Sequence, residues 1–362
     1  MKTRTRRLLV GIAAITLVIA GSGLWMASAG AIPQPSAGVE TAGEWGNVTE
    51  QRTEVVTTFW VDNPYPVRIT TGDLLDLDYR LELNGVTVAE GSWDEVDLPR
   101  GNTTQTQSTY LRNDRLAAWW VRFVEDDETL RATAHGRAVI DGPFGDWTYE
   151  RSSATGTHFA NRTPVSDAIS GAAAQTEGEY VRTRSVRYGG VERDVTVGAE
   201  VRDARATWGR VDRNGTTVLF RFRIHNPSDA VPLVVEPTGL RLRADANGVR
   251  LFRSGSGVLS REAATDDRLV LPGETRDVTI AATVDNRVID DWFRSHVRNG
   301  ERSTIETRLQ LVVDPVGAGE PIRVPEDDEA THRCTVRTAV LEDGQRPGTT
   351  CGAQSGSPPV AT

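Results

Sequence analysis

Lysine is almost absent from this 362-residue chain. Only Lys2 occurs, so 40 of the 41 cationic residues are arginine. The first 32 residues hold four cations and no acid, which leaves 37 Arg against 50 acidic residues and a net charge of −13 for the rest. A nucleic-acid-binding protein presents a basic surface, so none is expected as a partner. An acidic, lysine-free exterior suits a salt-loving organism, because hydrated carboxylates keep a protein soluble at high salt; a GC-rich genome gives the same arginine bias. Cysteine is scarce too. Cys334 and Cys351 are the only two, too few for a four-cysteine zinc site. Two cannot staple a chain of this length, so the bulk must fold by burying apolar surface, although hydrophobic residues are only 38%.

The motifs of catalysis are also missing. No Gly-rich phosphate loop, His-Glu-x-x-His or Gly-x-Ser-x-Gly run occurs, and His135, His158, His225, His296 and His332 are scattered. Carboxylates are too abundant for any pair to stand out as a glycosidase acid and base. No catalytic residue, cofactor or metal ligand is expected. Asp126, Asp127 and Glu128 form one acidic cluster and Glu326 to Glu329 another, without the spacing of a calcium loop. Both read as solvated surface.

What is present begins at the N-terminus. Met1 to Arg7 is basic, and Leu8 to Ile32 contains no charged residue. That run is long enough to span a bilayer as a helix, with its basic side held in the cytoplasm. A retained single-pass anchor is expected, with the chain beyond Pro33 outside the cytoplasm. Ala27-Ser28-Ala29 offers the alternative of a cleaved signal and a secreted protein, and Thr5-Arg6-Arg7-Leu8-Leu9-Val10 resembles a twin-arginine export signal. No cysteine follows the apolar run to carry a lipid. In that outer region Asn47, Asn102, Asn161 and Asn214 are candidate glycosylation sites, each heading an Asn-x-Ser/Thr sequon. Cys334 and Cys351 are expected to pair as a disulfide there, with two free thiols as the alternative.

The sequence repeats itself. Trp45-Gly46-Asn47-Val48 recurs as Trp208-Gly209-Arg210-Val211, Asn63-Pro64 as Asn226-Pro227, and Asn84-Gly85-Val86 as Asn247-Gly248-Val249, all at an offset of 163. Leu98-Pro99 matches Leu271-Pro272 and Asp141 matches Asp314 at 173, while Arg115 and Trp120 match Arg287 and Trp292 at 172. Two tandem units are expected rather than a solenoid. Period-2 patterning marks strands in each. Val55, Thr57, Phe59 and Val61 share one face, as do Val218, Phe220, Phe222 and Ile224. Both strands stop at Asn-Pro, since Pro cannot donate to a ladder. Leu77, Tyr79, Leu81 and Leu83, and their counterparts Leu240, Leu242, Ala244 and Ala246, run into Asn-Gly, a strong hairpin signal.

Further strands are expected near Thr104–Leu111 and Arg276–Val284. Final strands are marked by Leu130, Ala132, Ala134 and Ala138, and by Ile305, Thr307, Leu309, Leu311 and Val313. One helix precedes each final strand. Leu116, Trp119, Trp120 and Phe123 have helical spacing, as do Ile289, Trp292, Phe293 and His296; the tryptophans read as core. Asn113 or Asp114, and Asp285 or Asn286, are the expected caps. About seven short strands and one helix per unit favour antiparallel two-sheet sandwiches.

The strand ending in Asn63-Pro64-Tyr65-Pro66-Val67, the run Leu77-Asp78-Tyr79-Arg80-Leu81-Glu82-Leu83-Asn84-Gly85, then Gly91-Ser92-Trp93, Leu98-Pro99 and a Trp-bearing helix together resemble a known domain. It is the water stress and hypersensitive response (WHy) domain of the group 2 late embryogenesis abundant (LEA type 2) proteins, the desiccation-related family. The second unit departs from the motif, with Asp229 for the second Pro and Leu242 for the Tyr. The resemblance implies a fibronectin-like sandwich, no catalytic residues and a role in stress tolerance. Trp45, Asn63, Pro64, Asn84, Gly85, Trp208, Asn226, Pro227, Asn247 and Gly248 are then structural motif positions. With the composition it also implies a haloarchaeal source.

The fold class expected is mainly β: two tandem sandwiches, each with one short α-helix, after an N-terminal transmembrane helix. The expected boundaries are 1–32 for the basic terminus and anchor, 43–160 for the first sandwich, and 161–198 for a linker rich in Ala, Gly and Ser. The second sandwich follows at 199–335 and a polar, partly disordered tail at 336–362. The function expected is membrane-tethered stress protection, non-enzymatic, directed at membrane surfaces or client proteins. A cell-surface adhesion or scaffold module is the alternative.

Overall fold

The computed structural model describes residues 36–354, except 65, 67, 71–74, 94–95, 141–146, 158–163, 189, 236–238, 254–267, 327–330, 339–340 and 342–347. The expected anchor at 8–32, the sequon residue Asn161, most of the acidic run at 326–329 and the tail beyond 354 lie outside the described residues. Among the described residues, no helix is long and apolar enough to cross a membrane.

The fold is mainly β and forms two compact units. The first comprises Met1–Asn161 with His296–Glu301 and Thr338–Pro347. Its elements are β1 (Ser36–Val48), β2 (Arg52–Asn63), β3 (Ile69–Thr70), β4 (Leu75–Leu83), β5 (Val86–Ser92), β6 (Asp97–Leu98), β7 (Gly101–Arg112), α1 (Leu116–Glu125), β8 (Leu130–Ile140) and β9 (Trp147–Thr157). One sheet has the order β1-β2-β7 and another β5-β4-β8-β9, with β3 paired to β6. The pairs are antiparallel. Alternation sends Thr57, Phe59 and Val61 of β2 inward. Phe59 stacks on Trp93 at 5.7 Å, and Trp93 lies 5.8 Å from the ring of Tyr79, so the core joins both sheets. Leu116, Trp119, Trp120 and Phe123 make the buried face of α1.

The second unit comprises Arg162–Ser295, Arg302–Arg337 and Gly348–Thr362. Its elements are α2 (Pro164–Ala174), β10 (Gly178–Tyr188), β11 (Val191–Val211), β12 (Gly215–His225), β13 (Leu233–Val235), β14 (Arg241–Ala246), β15 (Val249–Arg253), β16 (Leu269–Val270), β17 (Thr275–Asp285), α3 (Ile289–Arg298, whose residues from His296 onward count with the first unit), β18 (Arg302–Pro315), β19 (Ile322–Val324), β20 (Thr331–Arg337) and β21 (Gly348–Gln354). One sheet runs β10-β11-β12-β17. The other runs β15-β14-β18-β13-β16, with β19 and β20 also on β18 and β21 on β20. Phe220, Phe222 and Ile224 from the first sheet and Leu242, Leu309, Leu311 and Val313 from the second belong to one apolar core.

Four expectations need correction. Residues 161–198 are no linker. They hold α2, β10 and the start of β11, and the expected single helix of this unit is two. Pro164 begins α2, where its missing N–H costs nothing, and Ala168, Ile169, Ala172 and Ala173 bury one face. Their small side chains, mistaken for linker composition, let the helix lie close on β11. Ser170 Oγ and Glu177 Oε1 accept the β11 amides of Ala206 and Ala204 at 3.3 and 2.8 Å.

Secondly, the chain beyond 336 is not merely a polar tail, because Gly348–Gln354 pairs along β20 as β21. The polar side chains there hid a strand whose order comes from its neighbour. Thirdly, the expected caps hold in one unit and not the other: Asp285 caps the 3-10 turn Asn286–Val288 that leads into α3, its Oδ1 accepting Arg287 N at 3.0 Å. Arg112, at the equivalent place in the first unit, has no side-chain cap. Asn113 and Asn286 turn inward instead. Fourthly, Glu128 is no solvated acid: it is 1% exposed. The end of α1 places Asp127 and Glu128 at φ 52° and 55°. Glu128 N then closes back on Phe123 O at 2.9 Å, which carries the side chain inward.

Candidate functional site

The Asn-Pro and Asn-Gly motif residues close strand ends and turns. Asn226 is buried at the end of β12. Its Nδ2 donates to Val231 O at 2.9 Å and Val270 O at 3.0 Å, and its Oδ1 accepts Ser228 N at 3.1 Å. Asn63 ends β2 in the same manner, buried, with Nδ2 donating to Leu98 O at 3.0 Å. Asn-Pro therefore does more than stop a strand. The amide ties that end to flanking segments through buried carbonyls, two for Asn226 and Leu98 O for Asn63.

The Asn-Gly turns follow the same logic. Asn84 and Asn247 sit at φ 47° and 50°, and Gly85 and Gly248 at 77° and 82°, the left-handed pair that a type I′ hairpin requires. Asn84 Nδ2 donates to Asp126 Oδ2 and Thr129 O, both at 2.8 Å, and its Oδ1 accepts Trp119 Nε1 at 3.2 Å. Asn247 Nδ2 donates to Arg302 O at 2.9 Å, while Trp292 Nε1 donates to Ser303 Oγ at 2.9 Å. The Asn84 turn thus helps to seat a helix whose tryptophan needs a partner for its one N–H, while the Asn247 turn is tied to β18, whose Ser303 takes that role for Trp292. The offset of 172 that matched Trp120 to Trp292 is off by one. The helices begin at Leu116 and Ile289, an offset of 173 that sets Trp119 against Trp292.

A further pair went unseen in the sequence. Thr53 Oγ1 donates to Asn113 Oδ1 at 3.0 Å, and Asn113 Nδ2 donates to Thr49 O at 3.0 Å. Thr216 Oγ1 donates to Asn286 Oδ1 at 2.8 Å, and Asn286 Nδ2 donates to Asp212 O at 2.7 Å. All four side chains are buried. The recurrence of Asn113 as Asn286 at 173 was a usable signal, masked by their reading as helix caps.

The sequon residues Asn47, Asn102 and Asn214 are exposed. Trp45 in β1 and Trp208 in β11 each sit just before a register shift in their ladders. Trp45 Nε1 donates to Glu301 Oε1 at 2.9 Å, and Glu301 Oε2 accepts the Thr338 hydroxyl at 2.9 Å. His296 Nε2 meets the same hydroxyl at 2.9 Å. Burial pushes the His296 imidazole down to about 4, against the opposing pull of Glu301. This network lies within the first unit, and its members hold one another.

On the surface, arginines pair with acids. Arg223 bridges Asp203 and Asp277, and Arg333 binds Glu306. The Arg287 guanidinium lowers the Asp285 carboxyl, and two backbone amides lower Asp212. Asp245 is also lowered: burial works against its charge, but Arg250 and Arg243 outweigh it.

One cluster has chemistry of another kind. Cys334 and Cys351 are joined across β20 and β21, and the His332 Nε2 lies 3.1 Å from Cys334 Sγ. The three donor atoms lie within 4.8 Å of one another. With both sulfurs bonded to each other, neither is the thiolate that a metal would need.

Comparison with known proteins adds a family. Residues 58–154 match the late embryogenesis abundant protein family. Among solved structures, the chain is similar to a protein from Archaeoglobus fulgidus at 26% identity, over 35% of this chain and 98% of that one, with a TM-score of 0.26. An Arabidopsis thaliana protein is 22% identical over 35% and 83%, with a TM-score of 0.27. A late embryogenesis abundant (LEA) protein solved in solution is 18% identical over 38% and 80%, with a TM-score of 0.27. Among curated proteins nothing matches. Within the first unit, then, the stretch from β2 into β9 is similar to the late embryogenesis abundant family.

Proposed function

We propose that this chain is a membrane-anchored, extracytoplasmic stress-protection protein of the desiccation-related LEA type 2 kind, acting without catalysis. The match of residues 58–154 to the late embryogenesis abundant family carries the reading. Two WHy-type copies are part of the proposal. They are supported by paired features: Asn63 and Asn226 at strand ends, Asn84 and Asn247 at left-handed turns, and Asn113 and Asn286 as buried braces. So is a haloarchaeal source, supported by an acidic surface with Lys2 as its only lysine.

The physical logic is preservation of a folded, hydrated surface. The amides of Asn63, Asn113, Asn226 and Asn286 and the hydroxyls of Thr53 and Thr216 are buried and engaged in internal bonds, so loss of bulk water does not free them to seek new partners. Exposed carboxylates with paired arginines hold water and repel like surfaces. An anchor at residues 8–32 would set these units at the envelope, where drying first damages a cell. The partners are then membrane surfaces or client proteins, met without a fixed stoichiometry.

The test uses the chain from Pro33 onward, dried or frozen with a labile enzyme or with dye-loaded liposomes. It should preserve activity or dye retention better than an equal mass of an unrelated acidic β-sandwich protein, and a deletion strain should survive desiccation poorly. Equal protection by the control and normal survival would defeat the proposal. A saturable surface partner would then favour adhesion. Protease added to cells with an opened surface layer should digest the region after Pro33; protection of that region would defeat the outward topology.

A further inference from the structure

We propose that the Cys334–Cys351 disulfide is a site of reversible S-thiolation, in which a small monothiol exchanges onto Cys351, Cys334 is the leaving sulfur, and His332 assists its departure. This goes beyond protection by a passive fold and does not depend on it.

The two sulfurs differ in access. Cys334 is 1% exposed in the sheet, whereas Cys351 is exposed on β21. Among the described residues its strand is an edge, paired only with β20. Thiol–disulfide exchange is steered by which sulfur the incoming thiolate can reach and by how well the other leaves. Access selects Cys351 for attack, which makes Cys334 the leaving group.

The leaving sulfur has a partner in place. His332 Nε2 lies 3.1 Å from Cys334 Sγ. Its Nδ1 is buried and has no hydrogen-bond partner among the described residues. A buried N–H without an acceptor is costlier than a bare acceptor nitrogen, so the proton belongs on Nε2, aimed at the sulfur. Burial lowers the imidazole pKa, which keeps the ring a neutral donor. Gly171 on α2 makes room for it: a Cβ there would lie 2.5 Å from Nε2. The ring is thus held between a glycine and a disulfide.

The step balances without an outside oxidant. The incoming thiol gives its proton to solvent, and its thiolate attacks Cys351 Sγ. The S–S electron pair passes to Cys334 Sγ, where the His332 N–H stabilises the thiolate before it takes a proton from solvent. One thiol and one disulfide become one mixed disulfide and one thiol. Attack by Cys334 on the mixed disulfide reverses the step. While Cys351 carries the adduct, β21 keeps its ladder but loses its covalent tie.

The full chain is treated with excess 2-mercaptoethanol, quenched with acid, capped with N-ethylmaleimide and mapped by peptide mass spectrometry. Native protein should carry mercaptoethanol on Cys351 and maleimide on Cys334. A stabilising hydrogen bond to the thiolate implies that His332→Leu reacts about tenfold more slowly. His332→Gln, which restores an N–H donor, should recover part of the rate. Gly171→Ala keeps the imidazole but displaces it, and should be slow as well. In urea all variants should react alike. An even split of adduct between the two cysteines, or exchange in urea alone, would overturn the proposal. So would native rates unaltered by both His332→Leu and Gly171→Ala. Should His332→Leu fail to fold, the regiochemistry and the Gly171→Ala rate still decide.

Discussion

Asn226 offers the sharpest measure of what a closed strand end is worth. Its amide makes three buried hydrogen bonds, to Val231 O, Val270 O and Ser228 N. Asn226→Ala takes a buried hydrogen bond from each of Val231 O, Val270 O and Ser228 N. A lost bond costs about 0.5–1.5 kcal/mol, and a group left unpaired about 1–3 kcal/mol. Partial relaxation and water entry reduce the total, and we expect a loss of roughly 3–5 kcal/mol. A domain is held folded by only about 5–15 kcal/mol. At about 2–4 °C per kcal/mol for a unit of this size, the transition should fall by roughly 10 °C.

Asn226→Asp separates hydrogen bonding from volume. The carboxylate has nearly the same shape but can only accept, and it would face the same two carbonyl oxygens. If hydrogen bonding sets the loss, Asp is at least as destabilising as Ala near pH 7. If packing sets it, Asp resembles the parent. Burial would also raise the pKa of this introduced carboxyl in the folded state. A raised folded pKa means that the protonated form is the better-tolerated one, so the Asp variant should regain stability as pH falls through that value. Urea titrations and calorimetry on the chain from Pro33 onward supply the numbers. An Asp variant within about 1 kcal/mol of the parent at pH 7 would refute the hydrogen-bond account.

Other outcomes follow from the same geometry. Asn247→Ala loses its bonds to Arg302 O and Thr304 N and leaves φ 50° to a residue without the polar side chain that suits Asn to the left-handed region; a loss of about 2–3 kcal/mol by urea titration is expected. Asn247→Gly relieves the backbone cost and should be milder. His296 titrates near 4 in the fold against 6.5 unfolded. Its pKa is depressed, so its contribution is intact above pH 6.5 and is lost as pH falls from there toward 4, by about 3 kcal/mol in all. His296→Gln should flatten that part of the urea-midpoint profile, and an unchanged profile would count against burial as the cause. Arg223→Ala breaks two exposed ion pairs and should leave the urea midpoint nearly unchanged, all the more so at high salt. Trp292→Phe removes the indole bond to the Ser303 hydroxyl and should cost about 1 kcal/mol by the same titration.

How much of this was legible depends on where each element's signal resides. Strands β2, β12, β14 and β18 declare themselves, because a strand with one buried face must alternate, and Phe59, Phe220, Leu242 and Leu311 fall on the buried parity. The Asn-Gly turns are equally plain, since few other pairs tolerate two positive φ values. What failed to read was structure made by neighbours. Helix α2 has small residues because it packs closely on β11, and composition alone makes that resemble a linker. The pairing of β10 with β11, which brings Tyr188 opposite Val191, lies inside a stretch whose composition resembles a tether. Strand β21 has little apolar pattern of its own and is ordered by β20 and a disulfide.

The buried polar braces mark the deeper limit. Asn113 and Asn286 look like caps in sequence, since the residue type that binds a helix N–H also suits a buried carbonyl. Only the fold decides which partner wins. In both units the hydroxyl of Thr53 or Thr216 is already in place inside, where leaving it unpaired would cost more than leaving a solvent-exposed helix end uncapped.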